Sequence, residues 1–241
     1  MDLETGRAQF IELSGRFDLV KDDGSDNGAN YWLNQGQKFL DARLGHLFPM
    51  VWMKVLTPGD HTVEVRRVKR IDTIYVLDPD SKSRTPLVRM TSEEFKDAFS
   101  HTSVQSSGLP VAYTVEAGQL SLDLAYDQST IDDYSDGALI LTAPRELKTL
   151  IHFGPKTDKA YEFYVIGSFA PPLLTEDTDR SFWTVNFSRL WLYASLYQLE
   201  VGYKNREAMS AWLTAIEIEE HEIIKDKIDL DLSDYDPVIE G

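Results

Sequence analysis

The chain has 241 residues, 42% hydrophobic and 27% charged, values of an ordinary globular protein long enough to bury a core unaided. It has no cysteine, which excludes thiol nucleophiles, Cys-ligated zinc, iron–sulfur clusters and disulfide frameworks. Forty Asp and Glu against 24 Lys and Arg give a formal charge of −16, which disfavours tight binding to phosphate backbones.

Met1, Asp2, Leu3 and Glu4 form neither a basic start nor an apolar run, so no signal peptide is expected. The longest apolar run, 48–53, is too short to span a membrane, and none is expected as a partner. Residues 4–13 read as a short helix, and the polar, glycine-rich stretch 21–28 as a loop. Asn30 suits an N-cap. Leu33, Gly36, Leu40, Leu44 and Leu47 then fall on one stripe, predicting a helix over 30–47 that Pro49 ends. Gly36 costs this helix about 1 kcal/mol relative to Ala, which points to close approach of a neighbouring element.

From 50 to 166 the period changes to two. Leu120, Leu122 and Leu124 alternate with polar residues, as do Leu147, Thr149, Ile151 and Phe153, and Tyr161, Phe163 and Val165. Further strands are expected over 51–56, 62–68, 73–77, 87–90, 111–115 and 138–142. The basic run Arg66, Arg67, Lys69 and Arg70 reads as the solvated face of a strand. Glu116, Ala117 and Gly118 have the length and glycine placement of a bulged hairpin joining 111–115 to 119–125. Thr91 and Glu94 form a capping box that opens a short helix reaching about Ser100. Many short strands imply an antiparallel sandwich or barrel.

Beyond Gly167, Pro171, Pro172 and the acidic stretch 175–179 read as a stiff linker. Trp183, Phe187, Leu190, Ala194 and Tyr197 form one helical stripe, and Leu192, Leu196 and Leu199 a second. A helix apolar on most of its circumference is buried on more than one side. Gly202 is placed to stop it. Asn205 is placed to cap a second helix lined by Ala208, Trp212, Ala215, Ile216 and Ile223, and the two form an antiparallel hairpin. The order is α+β: an N-terminal arm and helix (1–49), an inserted antiparallel β domain (50–166), and a C-terminal hairpin (167–226) completing a helical bundle. Residues 227–241 alternate apolar residues with Asp and read as an extended acidic arm suited to a partner's groove or sheet edge. Its anchors are Leu230, Leu232 and Tyr235. Aromatics concentrate in the hairpin, where they read as core or as subunit contact; in the second reading Trp191, with Leu192, Leu196 and Leu199, is the candidate interface.

Catalytic patterns are scarce. His46, His61, His101, His152 and His221 are scattered. His221, one turn after Glu217, lacks the second half of a carboxylate–histidine metal site. The loop from Asp23 starts like a calcium loop, but its twelfth position is Asn34, and the acidic turn 132–137 has the same defect. Neither a phosphate loop nor a nucleophile elbow nor HExxH occurs. Hence no catalytic, cofactor or metal residue is expected, and no enzyme activity. A β-sandwich or barrel recognising a ligand such as carbohydrate, with a helical appendage, is the alternative. An enzyme using unrecognised carboxylates stands behind both.

The segment from Pro172 through Asp177, Trp183 and 190–197 to Tyr203, Asn205 and Trp212 resembles the head-to-tail adaptor (head-completion or connector) proteins of tailed bacteriophages. It matches their tryptophan-led helix, an "AxLyxxE" stretch at 194–200 and an Asn opening the next helix. Asn30, Gln35, Leu40 and Asp41 are similar to the family's first helix. The resemblance implies a homo-oligomeric ring, dodecameric in the family, docked between portal and tail or nozzle protein in the virion neck, assembled in the host cytoplasm. DNA would pass through its lumen without specific binding, with the C-terminal arm on the portal. The β region has no counterpart in this resemblance.

Overall fold

The computed structural model describes residues 1–99, 107–119 and 148–233. Among these the helices are α1 (Leu3–Ser14), α2 (Ala29–Leu44), α3 (Ser92–Phe99), α4 (Phe182–Asn186), α5 (Ser188–Tyr203) and α6 (Arg206–Ser233). The strands are β1 (Met50–Leu56), β2 (Thr62–Arg66), β3 (Val68–Leu77), β4 (Arg84–Pro86), β5 (Val88–Arg89), β6 (Ala112–Gln119), β7 (Lys148–Gly154) and β8 (Tyr161–Phe169). The chain is thus mixed α+β. It divides into two compact units, Met1–Phe48 with Ala170–Gly241, and Pro49–Phe169. The strand expected at 138–142, the acidic turn at 132–137 and the part of 119–125 beyond Gln119 lie outside the described residues.

In the helical unit, α2 and α5 come into close contact at Gly36. A Cβ there would fall 2.6 Å from the Ser195 nitrogen, so the glycine permits the crossing its helix propensity argues against. Next to the crossing, the buried Trp191 indole donates to Leu33 O at 3.0 Å, and Ser195 Oγ donates to Trp191 O at 2.7 Å. α1 joins the same core through Leu3, Phe10 and Ile11. Its first free N–H groups, of Leu3 and Glu4, donate to Asp179 O and Asp177 O, so the linker completes the start of the helix. Asn34 clamps the linker from the other side. Its amide donates to Leu174 O and its Oδ1 accepts from Leu174 N, both at 2.9 Å. The stretch read as a spacer is therefore stitched into the core.

Several local expectations are corrected. Asn30 lies inside α2, and Asp26 takes the capping role, its Oδ1 accepting from the N–H groups of Gly28 and Asn30. A carboxylate also suits the positive end of the helix. Asn30 instead accepts from Arg7 Nη1 at 3.2 Å. The helix expected from Trp183 onward breaks at Phe187, whose ring packs on Phe48 and Phe182; α4 carries its own capping box, Ser181 with Thr184. Lys204 in the left-handed region, not Gly202, ends α5. Gly202 makes room for Trp32, whose ring a Cβ would meet at 2.4 Å. Asn205 caps α6 as expected, accepting from Ala208 N.

The other unit holds two four-stranded sheets, ordered β1-β8-β3-β4 and β2-β7-β6-β5. All pairs are antiparallel except the two-residue parallel pairing of β5 with β6. Period-two burial sends Leu56, Ile74 and Phe163 from one sheet and Val65, Ile151 and Phe153 from the other into a single apolar cluster. The expected turn at 116–118 is absent. β6 runs straight through it, and the register against β7 shifts between Glu116 and Gln119, so the glycine marks a bulge. The Thr91–Glu94 capping box is present at the start of α3, Glu94 Oε2 accepting from Thr91 N at 2.9 Å.

Candidate interaction surfaces

The acidic residues that resemble metal ligands in sequence hold backbone instead. Asp23 accepts from Ser25 N, and Asp26 caps α2. His221 is exposed on α6, and His152 Nδ1 lies 3.0 Å from Thr62 Oγ1 across β7 and β2. Among the described residues no group of three or more His, Asp and Glu is placed to hold a metal ion. None of their helices is long and apolar enough to cross a membrane.

Of the seven residues singled out for contacts, four sit in the helical core. Trp191 is 0% exposed, Leu192 4%, Leu196 1% and Leu199 1%. They belong to one buried cluster with Leu3, Phe10 and Ile11 of α1, Leu33, Leu40 and Leu44 of α2 and Ile216 of α6. Leu230 and Leu232 lie on α6, which continues as helix to Ser233, so 227–233 is helical where an extended arm was expected. The physical reason is propagation. Once a long helix is nucleated, each added residue costs little, and Ile224, Ile228 and Leu232 are spaced four apart. Tyr235 is outside the described residues.

What the helical unit leaves exposed is aromatic at one end. Phe17, Tyr31, Tyr203 and Leu13 are each at least half exposed. Tyr31 meets Trp32 edge-on at 4.9 Å, and Trp32 lies 6.3 Å from Tyr203. The Arg16 guanidinium sits 4.1 Å over the Tyr203 ring, donates to its hydroxyl at 2.6 Å and pairs bidentately with Asp18. These bonds raise the Arg16 pKa above its ordinary value and lower that of Asp18. Trp, Tyr and Arg held rigid on a surface are the residues that dominate protein interfaces.

The second surface is the outer face of the sheet β1-β8-β3-β4. Val51, Met53 and Val55 alternate on edge strand β1 and are 59%, 51% and 54% exposed. Register carries the stripe across the sheet. Val51 pairs with Ile166, Met53 with Tyr164 and onward to Tyr75, Val55 with Glu162 and onward to Leu77. Tyr75 and Tyr164 stack at 4.7 Å, with Arg84 5.4 Å over Tyr75. A contiguous apolar face of this kind usually marks an interaction site.

The third surface is α6. With 28 residues against 16 in α5, to which it is antiparallel (Tyr193 meets Trp212 at 5.5 Å and Arg189 pairs with Glu219), its last turns outrun the start of α5. The buried Glu220 is clamped by Arg43 of α2 at 2.7 and 2.5 Å, which raises the Arg43 pKa. Outward it presents Ile218, Ile224 and Ile228 among Glu217, Glu222 and Asp226.

The sequence matches the family described as SU10 adaptor protein over residues 8–231. The chain belongs to that family. A comparison with curated proteins finds no match. The resemblance to phage head-to-tail adaptors is thereby upheld, and the adaptor family match runs through both units, including the β region that had no counterpart in the residues read for the resemblance. In this adaptor the apolar sheet face was missed because alternation reads as one buried face. The signal was present: β1 is apolar at Val51, Met53 and Val55 as well as at Trp52 and Leu56, so both of its faces are apolar.

Proposed function

We propose that the chain is a non-enzymatic structural subunit of a phage neck. Copies form a ring between portal and tail, and DNA passes through the lumen without specific binding. The observation that carries this reading is the family match across 8–231. The charge of −16 supports it, because an acidic wall repels phosphates and lets DNA slide. The exposed aromatic end of the helical unit supports docking to other virion proteins.

The portal-directed segment in this reading is 227–241, with Leu230, Leu232 and Tyr235 as anchors. The segment continues as helix as far as Ser233. The test is binding of the full chain, and of a truncate ending at Asp226, to isolated portal at physiological salt. The expected result is tight docking by the full chain and weaker docking by a truncate that still folds. Equal affinity would remove the arm from the reading. Failure of both to dock, with no ring by electron microscopy, would remove the adaptor role.

A further inference from the structure

We propose that the outer face of the sheet β1-β8-β3-β4 of one copy docks on the exposed face of α6 of a neighbouring copy. This contact between unlike surfaces of identical chains deepens the ring reading above and rests on it. Such a contact repeats around a closed ring, because each subunit offers one half to either neighbour.

Size comes first. Val51 to Val55 spans about 13 Å along β1, and four strands span about 14 Å across. Ile218 to Ile228 spans about 15 Å along α6, and the three isoleucines fall within an arc of about 120°. One helix therefore covers the apolar part of the sheet. Chemistry comes second. The sheet face is apolar in its first two rows, with Val51, Ile166, Met53 and the stacked Tyr164 and Tyr75. α6 brings isoleucine to it.

Charge decides the occupant. On the outer face Arg84 stands over Tyr75 beside the apolar rows, Arg70 is paired with Asp72 at 2.7 Å, and Glu162 accepts from the Tyr164 hydroxyl at 2.5 Å, which leaves Arg84 as the cation offered to a partner. The exposed face of α6 has Glu217, Glu222 and Asp226 around its isoleucines, tempered by His221 and Lys225. Arg84, held over Tyr75 beside the apolar rows, is placed to meet one of these carboxylates. Two copies of the sheet face would instead set Arg84 against its own kind. The acidic helix is the better complement, and every subunit carries it.

The absence of cysteine gives a clean test. Met53→Cys is made in one preparation of the full chain, and Ile218→Cys or Ile224→Cys in another; all three sites are exposed. The variants are oxidised mildly at high protein concentration, alone and mixed. The expected result is disulfide-linked dimer in the mixture, about tenfold or more above either variant alone, because docking raises the effective thiol concentration to the millimolar range. Added salt should lower the yield. Cross-linking of Met53→Cys with itself at the level of the mixture would overturn the proposal in favour of a sheet-to-sheet contact. Wild-type rings without any mixed cross-link would overturn this contact and leave the ring standing. A chain that stays monomeric both free and on portal, and never cross-links, would overturn the contact and the ring together.

Discussion

The two units join distant parts of the chain by different means. In the sheet unit the backbone does it: β8 pairs along its length with β1 on one side and β3 on the other, and β7 with β2 and β6. In the helical unit each helix satisfies its own backbone except at its ends, where Leu3 and Glu4 reach the carbonyls of Asp179 and Asp177, so no ladder cross-links segments. Side chains take over. Asn34 holds Leu174, 140 residues away, and Trp191 holds Leu33, 158 residues away. Arg7 reaches Asp177 at 2.7 Å across 170 residues, and Arg43 reaches Glu220 across 177. A ladder spreads attachment over many equivalent bonds, whereas these clamps concentrate it in a few side chains that no neighbour duplicates.

Substitutions can break that contrast. The largest effect is expected for Leu196→Asp, which puts a carboxylate at a fully packed site. A loss above about 4 kcal/mol should unfold the helical unit, seen as collapse of the far-ultraviolet helical signal; retention of that signal would mean the core reading of α5 is wrong. Asn34→Ala comes next. It strips partners from both buried polar groups of Leu174 and should cost about 2–3 kcal/mol in urea denaturation. A cost near zero would show the linker clamp to be incidental. Gly36→Ala should cost about 1–3 kcal/mol by forcing α2 from Ser195. The two-state denaturation midpoint checks it, and a stabilised variant would contradict so close an approach. Met53→Asp, on the exposed sheet face, should stay within about 0.5 kcal/mol of wild type; larger destabilisation would show that the face is buried within the chain.

The smallest effect is acid-linked. Backbone N–H groups of Thr175 and Glu176 donate to Asp179 and lower its pKa below the ordinary 3.8. A depressed carboxylate contributes stability that is full above its unfolded value and lost as pH falls through its folded value. Carboxyl chemical shifts recorded against pH should therefore place the Asp179 midpoint below 3.8, and Asp179→Asn should flatten only the acid limb of the stability curve.

Much of this was legible from residue spacing. The stripe from Leu33 to Leu44, the close approach at Gly36 and the Thr91–Glu94 box follow from local chemistry that tertiary structure does not override. The failures are equally physical. α5 is apolar on most of its circumference, which signals neighbours without saying whose. The neighbours are in the same chain: Leu3, Phe10 and Ile11 of α1, with Leu33 and Leu40 of α2 and Ile216 of α6, share one cluster with it. Ile228, Leu230 and Leu232 obey a period of two, while Ile224, Ile228 and Leu232 obey a spacing of four. Only the helix already running into them decides. A glycine at 118 serves a turn or a bulge equally well, and the partner strand chooses.

Because α6 is pinned near its middle by the Arg43–Glu220 pair and runs on to Ser233, it works as a lever. Ile223 still packs on the core, so the span beyond it is about 15 Å, and a tilt of about 10° there carries the tip by about 3 Å. That is the scale on which a side chain enters or leaves a pocket. Whatever seizes the tip therefore also pulls on α2, and α2 in turn bears on Trp191 and on the strap at Leu174. Strain at the far end of one helix is passed to the centre of the subunit with no intervening joint.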